Sequence, residues 1–306
     1  MVPSGPIFLP SPTARGTPDC MTDNDDALGA AQDWPERNRL RTTLDFLLFR
    51  HLRVVRARSM RLLQSQAGSD RPIRNRYDVS MWPDWSDKTF AYCHYGTYGD
   101  YLSDLILSID RPFCFLDIGA NQGLFSLIAS RNPHCRTVVA LEPVSRTFEK
   151  LSANAELNAL GDRAELLNVA LSDRDGEAEI TFQTAHSGVA TLGTHLDSSI
   201  VAKETESIQT ISMRTLDQHL PADLPLFVKI DVEGHEETVI GELLTSSHVD
   251  RIMAVFYEMD EKWADATIVS DLLESAGFDQ FRKYGLGSHY DMFVSRSGQA
   301  GTRADG

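Results

Sequence analysis

The segment FVKIDVEGHEE, Phe227 to Glu237, passes from an apolar run into Asp231, Glu233, His235 and Glu236 around a single glycine, Gly234. Charge leaving a core costs several kcal/mol if it stays unpaired. Other apolar runs along the chain end the same way: FLDIG carries Asp117, VALEP Glu142, NVALSD Asp173 and VFYE Glu258. One acid at a strand end is uninformative, but five strands each delivering one are hard to explain by core packing. In open α/β sheets, ligands bind outside the carboxyl ends of the strands. Carboxylates gathered there can take a proton from a hydroxyl, accept hydrogen bonds from a ribose or hold a cation.

The first of these loops narrows the ligand. LDIGANQGLF sets Gly119 and Gly123 around Asn121, just ahead of a helical stretch. Glycines let the backbone turn tightly and approach a ligand closely. A dinucleotide fold wants G-x-G-x-x-G; Asn121 and Leu124 occupy the second and third glycine positions here, so a pyrophosphate cradle is weakly supported. Glu142 lies about 20 residues further on, at the end of the next strand, where an acid can accept both hydroxyls of an adenosine ribose. This pattern indicates an adenosine cofactor without pyrophosphate, and S-adenosylmethionine (SAM) fits.

The elements that must position these residues begin near Phe113. The runs CFLDIG, TVVALEP, AELLNVAL, GEAEITF, IQTISMRTL, LFVKIDVEG and RIMAVFYE are interleaved with helical stretches such as QGLFSLIASR, SRTFEKLSANAELNAL, HEETVIGELL and ATIVSDLLESAG. That rhythm predicts a doubly wound, mostly parallel sheet covered on both faces. The end, FRKYGLGSHYDMFVSR, reads instead as a C-terminal antiparallel hairpin. Residues 1–36 are rich in Pro, Gly, Ser, Thr and Asp and read as a disordered tail. Leucines and valines then recur at helical spacing through residues 37–66, decorated with arginines from Arg37 to Arg61. This helix is expected to pack on the acidic body; contact with a membrane surface or an acidic partner is the lesser reading.

Composition removes several classes. With 306 residues, 42% of them hydrophobic, the chain can bury a full core. A net charge of -15 argues against a nucleic-acid partner. The four cysteines (Cys20, Cys93, Cys114 and Cys135) are scattered, with no C-x-x-C. They suit neither a disulfide framework nor a zinc site and indicate a reducing, cytoplasmic setting. Neither a membrane-spanning run nor a secretory signal is evident.

Taken in order, FLDIGANQGLFSL, VALEPV, NVALSDRDGEAEI, SGVATL, TLDQHL and VKIDVEGHEETVIGEL resemble the FkbM-type SAM-dependent methyltransferases over roughly residues 95–296. The resemblance implies a class I methyltransferase-like sheet and transfer of a methyl group to a hydroxyl of a sugar, glycolipid or natural product. It implies that Asp117, Gly119, Asn121 and Gly123 shape the loop around the methionine part of SAM and that Glu142 holds the ribose. It further implies that Pro143 and Val144 border the adenine with Ala170 and Leu171 across from them, that Asp231 sits beside the sulfonium, and that HSGVATL caps the site. The organisation expected is a tail over 1–36, an N-terminal helical extension over 37–93, a methyltransferase domain over 94–297 and a flexible C-terminus over 298–306.

An alcohol nucleophile needs a proton acceptor. Asp231 is the first candidate, with His235, Glu258 and Glu233 behind it; His235 has the most suitable intrinsic pKa. Glu236 and Glu237 suit a helix start, where acids meet the helix dipole, and His186, His94 and Tyr98 read mainly as structural. No metal is expected, magnesium between Asp231 and Glu258 being the lesser alternative. Two other classes compete. A nicotinamide-dependent oxidoreductase is opposed by the departure from G-x-G-x-x-G and by the hairpin. A non-catalytic methyltransferase-like scaffold is opposed by the intact acids.

Overall fold

The computed structural model describes residues 71–96, 99–183, 186–192, 203–285 and 287–297. The expected tail (1–36), the arginine-rich segment (37–66) and the terminus 298–306 lie outside the described residues. Two short strands, β1 (Ile73–Arg74) and β2 (Ser80–Met81), pair antiparallel ahead of helices α1 (Lys88–Tyr95) and α2 (Asp100–Ser108). The alternation follows as β3 (Phe113–Ile118), α3 (Leu124–Arg131), β4 (Cys135–Leu141), α4 (Ser145–Leu157) and β5 (Ala164–Leu167). Four strands come next, β6 (Ala170–Leu171), β7 (Gly176–Gln183), β8 (His186–Leu192) and β9 (Lys203–Ile211), then a short α5 (Met213–Leu216). The chain continues through β10 (Leu226–Ile230), α6 (Glu236–Leu243), β11 (Ile252–Asp260), α7 (Ala266–Ser275), β12 (Gln280–Tyr284) and β13 (His289–Ser295).

Seven strands form one sheet in the order β12-β13-β11-β10-β3-β4-β5. From β11 to β5 every pairing is parallel, and β13 runs antiparallel to both β11 and β12. This is the doubly wound sheet with a C-terminal antiparallel hairpin. Its cause is the pleat: successive side chains point to opposite faces. Phe113 and Phe115 of β3 and Phe227 of β10 join one core with helices α1 to α4, while Cys114, Leu116, Val228 and Ile230 join another with α5, α6 and α7. Strands buried on both faces must be apolar throughout, which is why they read as continuous runs.

GEAEITF and IQTISMRTL depart from the single-sheet rhythm. They form most of β7 and the second half of β9, in a separate four-stranded sheet ordered β6-β9-β7-β8. On β7, Ile180 and Phe182 are buried while Glu177 and Glu179 are exposed. Such alternation belongs to an antiparallel sheet with one wet face. That sheet carries its own small cluster of Val144, Ala170, Ile180, Phe182 and Ile208 beside the end of β4.

The boundary expected at residue 94 falls inside α1. Val79, Met81, Phe90 and Cys93 are buried in the same core as Phe113 and Phe115. Polar side chains tie this segment to the first loop. Asp87, 1% exposed, caps α1 by accepting from Thr89 N at 2.9 Å and accepts from Gln122 Nε2 at 2.6 Å. Asn154 on α4 donates to Gln122 O at 2.9 Å and accepts from Trp82 N at 2.9 Å. Removing Asp87 therefore breaks a helix cap and takes a buried amide's partner. Asp87→Ala should cost about 2–3 kcal/mol of stability by urea titration. An unchanged midpoint would show that the segment is not braced through this carboxylate.

Candidate cofactor and catalytic site

In the parallel register, Lys229 stands beside Asp117, and Ile118 beside both Ile230 and Leu141. The carboxyl ends of β3, β4 and β10 are thus level, and the loops leaving them meet. Gly119 makes that meeting tight. Its φ is +75°, and a Cβ built there would fall 1.9 Å from the backbone oxygen of Asp231. Asn121 follows in the left-handed region at φ 51°, a conformation Asn tolerates better than most residues.

Glu142 organises the same corner. Its carboxylate accepts from Asn121 N at 2.9 Å and from Val144 N at 3.0 Å. Asn168 Nδ2 donates to the carbonyls of Glu142 and Pro143, each at 2.9 Å. Burial pushes the Glu142 carboxyl up to about 7, although its backbone hydrogen bonds pull the other way.

Above these strand ends opens a cleft. Of the expected residues, Gly119, Asn121, Glu142, Pro143, Ala170, Leu171, Asp231, Glu233 and His235 line it, and Ile180 reaches in from β7. Asp117 lies fully buried, accepting from Ser126 Oγ at 2.7 Å, and Gly123 starts α3. Asp173 stands apart, exposed on the turn after β6, with Arg174 3.6 Å away.

Asp231, Glu233 and Glu258 form the acidic centre, with one oxygen from each lying within 4.8 Å of the others. Glu233 is held at φ 50°, a backbone strain that in a non-glycine residue tends to mark functional sites. Burial and the charges of Asp231 and Glu258 push its carboxyl well above the usual range. Glu258 is raised by burial and by Asp231, to which it hydrogen-bonds. Its Oε1 lies 2.6 Å from Nε2 of His289, whose imidazole is held charged by that contact. His235, lowered by burial, has Nε2 3.5 Å from Ser172 Oγ. Glu236 faces inward: both its oxygens accept from Gly234 N at 3.0 Å, which pins the turn. Among the weaker candidates, His94 packs edge-on against Trp85 at 5.3 Å, His186 begins β8, and Tyr98 lies outside the described residues.

These shifts give a pH dependence with a definite sign. Glu142, Glu258 and His289 all have raised folded pKa values. Each therefore stabilises the fold below its unfolded pKa, and that stability is lost as pH rises through the folded value. His94 and His235 are lowered, so they act oppositely, but their effect is complete above about pH 6.5. The melting temperature of the ligand-free protein should fall between about pH 6.5 and 8, and Glu258→Gln should flatten that fall, since the share of Glu142 is mostly lost by about pH 7. Melts that stay level across the window in the unmutated protein would contradict the assignment.

Sequence reasoning missed Lys229, Asn168 and His289. A lysine inside the otherwise apolar FVKI was the available signal for Lys229. Nothing local marks His289, which only the antiparallel register of β13 on β11 brings to Glu258.

A doubly wound sheet of this order, with a glycine loop and an acid-lined cleft over its carboxyl ends, defines a class I methyltransferase-like protein. Residues 117–279, more than half of the chain, match the methyltransferase FkbM domain. The chain belongs to that family. It is 34% identical over 141 residues to the hexuronic acid methyltransferase AglP of Haloferax volcanii, covering 46% of this chain and 54% of that protein. It is 40% identical over 85 residues to the AMB antimetabolite synthetase AmbE of Pseudomonas aeruginosa, covering 28% of this chain and 4% of that one. The chain thus spans about half of one curated relative and a small part of the other. Among solved structures, it is similar to the methyltransferase FkbM of Methylobacillus flagellatus (13% identity, TM-score 0.41, 70% of this chain and 56% of that one). It is also similar to M. jannaschii TYW2 in complex with AdoMet (11% identity, TM-score 0.43, 74% and 85%). No helix among the described residues is long and apolar enough to cross a membrane.

Proposed function

We propose that the protein is an O-methyltransferase acting on a hydroxyl of a sugar, glycolipid or natural product. The observation that carries this reading is one cleft holding Glu142 at the end of β4 and Asp231 after β10, with the Gly119 loop between them. Asp117, Gly119, Asn121 and Gly123 shape the loop around the methionine part of SAM. Glu142 receives the ribose hydroxyls, and Pro143, Ala170 and Leu171 border the adenine. SAM bound there would supply a methyl group to the acceptor oxygen and would leave as the neutral thioether. The hydroxyl proton passes to Asp231, with Glu258 and His235 as the next candidates to receive it. The likeness to AglP, a hexuronic acid methyltransferase, supports a sugar acceptor.

Calorimetric titration with SAM, S-adenosylhomocysteine and NAD tests the cofactor assignment. Binding of the first two without the third is the expected result; NAD binding with no response to SAM would overturn it. Transfer of radiolabelled methyl to a panel of glycosides and polyketide-type alcohols tests the acceptor class. A second reading, magnesium held by acid oxygens, is favoured by the 4.8 Å clustering of Asp231, Glu233 and Glu258. Turnover abolished by a chelator and restored by magnesium would establish it.

A further inference from the structure

Lys229 is a lysine in the middle of the sheet with almost no access to water: its side chain is 4% exposed. It lies on the pleat face shared by Phe227, beside Asp117 on the neighbouring strand. A buried ammonium is costly unless its protons are matched by oxygens, and an ammonium has three to place. Three residues on two neighbouring chain segments supply the oxygens. Nζ donates to Gly119 O at 2.6 Å, lies 3.3 Å from Asp117 Oδ1 and lies 3.6 Å from Asp231 Oδ2.

The three partners differ in kind. Asp117 is fully buried and its other oxygen is engaged by Ser126, so it balances the lysine's charge. Gly119 belongs to the loop lining the cleft, and Asp231 lines the same cleft from the next strand. A stabilising ion pair alone would need only Asp117. Reaching on to the loop carbonyl and to the cleft carboxylate makes one side chain the link between the two halves of the site.

We infer that Lys229 is a positioning residue whose ammonium ties the Gly119 loop to Asp231, so that the loop and the carboxylate keep one relative placement. The inference rests on the reading of Asp231 as the proton acceptor. Lys229 touches neither substrate nor cofactor in this role. It acts by fixing Asp231 Oδ2 from below and by holding the loop carbonyl inward. The reaction needs that alignment, since small misplacements of reacting groups cost large factors in rate.

The test is a double-mutant cycle with Lys229→Gln and Asp231→Asn, read as single-turnover methyl transfer at saturating SAM. Lys229→Gln keeps a donor but loses the charge and the reach. It should slow transfer about 10–100-fold, while in the Asp231→Asn background it should add less than about 3-fold, because linked residues are not additive. Effects that multiply would overturn the inference. An Asp231→Asn variant with full activity would instead overturn the reading of Asp231, so the two failures are distinct. If Lys229→Gln does not fold, the link is read from the other end. Hydrogen exchange of the peptide spanning 117–125 should quicken in Asp231→Asn, and unchanged exchange there would overturn the tie.

Discussion

Asp231→Asn is expected to keep the fold and to slow methyl transfer about 10²–10⁴-fold, the usual worth of general-base assistance. The residue follows β10 directly, with its amide bonded to Ile118 O at 3.1 Å, so the backbone there does not depend on the side chain. Asn matches Asp in size, but it has no charge to hold the Lys229 ammonium and it cannot take a proton. Glu233→Gln supplies the comparison. Burial and the neighbouring acids already bias Glu233 toward its protonated form, so making it a permanent amide should change the rate far less. A radiolabelled-methyl assay on both variants decides the matter: equal losses would spread the role over the cluster, and full activity in Asp231→Asn would remove it from the mechanism.

Gly119→Ala is expected to be the most damaging small substitution in the site. The left-handed backbone alone costs an alanine about 1–2 kcal/mol. Beyond that, the new methyl would sit 1.9 Å from the Asp231 carbonyl oxygen, a backbone atom that cannot swing aside. The loop or the end of β10 must move, and either motion opens the corner where Asn121 N meets Glu142. SAM binding by calorimetry should weaken at least about 100-fold, because ligand contacts at both ends of the cleft are displaced together. Gly161→Ala isolates the backbone term. That glycine also has positive φ, at +50°, but nothing lies within 4 Å of its added Cβ. It should lose about 1 kcal/mol of stability with SAM affinity unchanged. If Gly119→Ala behaves like Gly161→Ala, the close approach does not matter for the cofactor.

The parts of the fold that were legible are those whose sequence signal is local. FLDIG, VALEP, KIDVEG and VFYE announce buried parallel strands by continuous apolar runs, and each carries its acid at the end that a parallel sheet aligns. Glu142 and Asp231 could therefore be placed in one cleft before any contact was known. The second sheet was not legible, because β7 and β9 are short-range alternations whose partners are set by a distant crossover to β6. The same applies to His289, whose position beside Glu258 depends on strand register rather than on neighbours in sequence. Asp173 followed the pattern of the other acids but leads out of β6, which belongs to the smaller sheet, and so it ends in solvent. Lys229 was hidden for a different reason: a charge in a strand reads as an edge or a break, unless its counter-charge on the adjacent strand is known.

The place of β13 between β11 and β12 bears on how the chain matures during synthesis. All the other strands of the large sheet are translated before it, yet it forms the inner neighbour of β11. Until Ser295 has left the ribosome, the nine-residue β11 presents an unpaired and mostly apolar edge, the kind of surface that invites association between nascent chains. The cleft corner at Gly119 and Glu142 needs only β3, β4, β5 and β10, whereas the Glu258–His289 contact needs β13. The Gly119–Glu142 half of the pocket can thus take shape during translation, while the acidic half is completed by β13, and a ligand present at that moment would find a partly built site to stabilise.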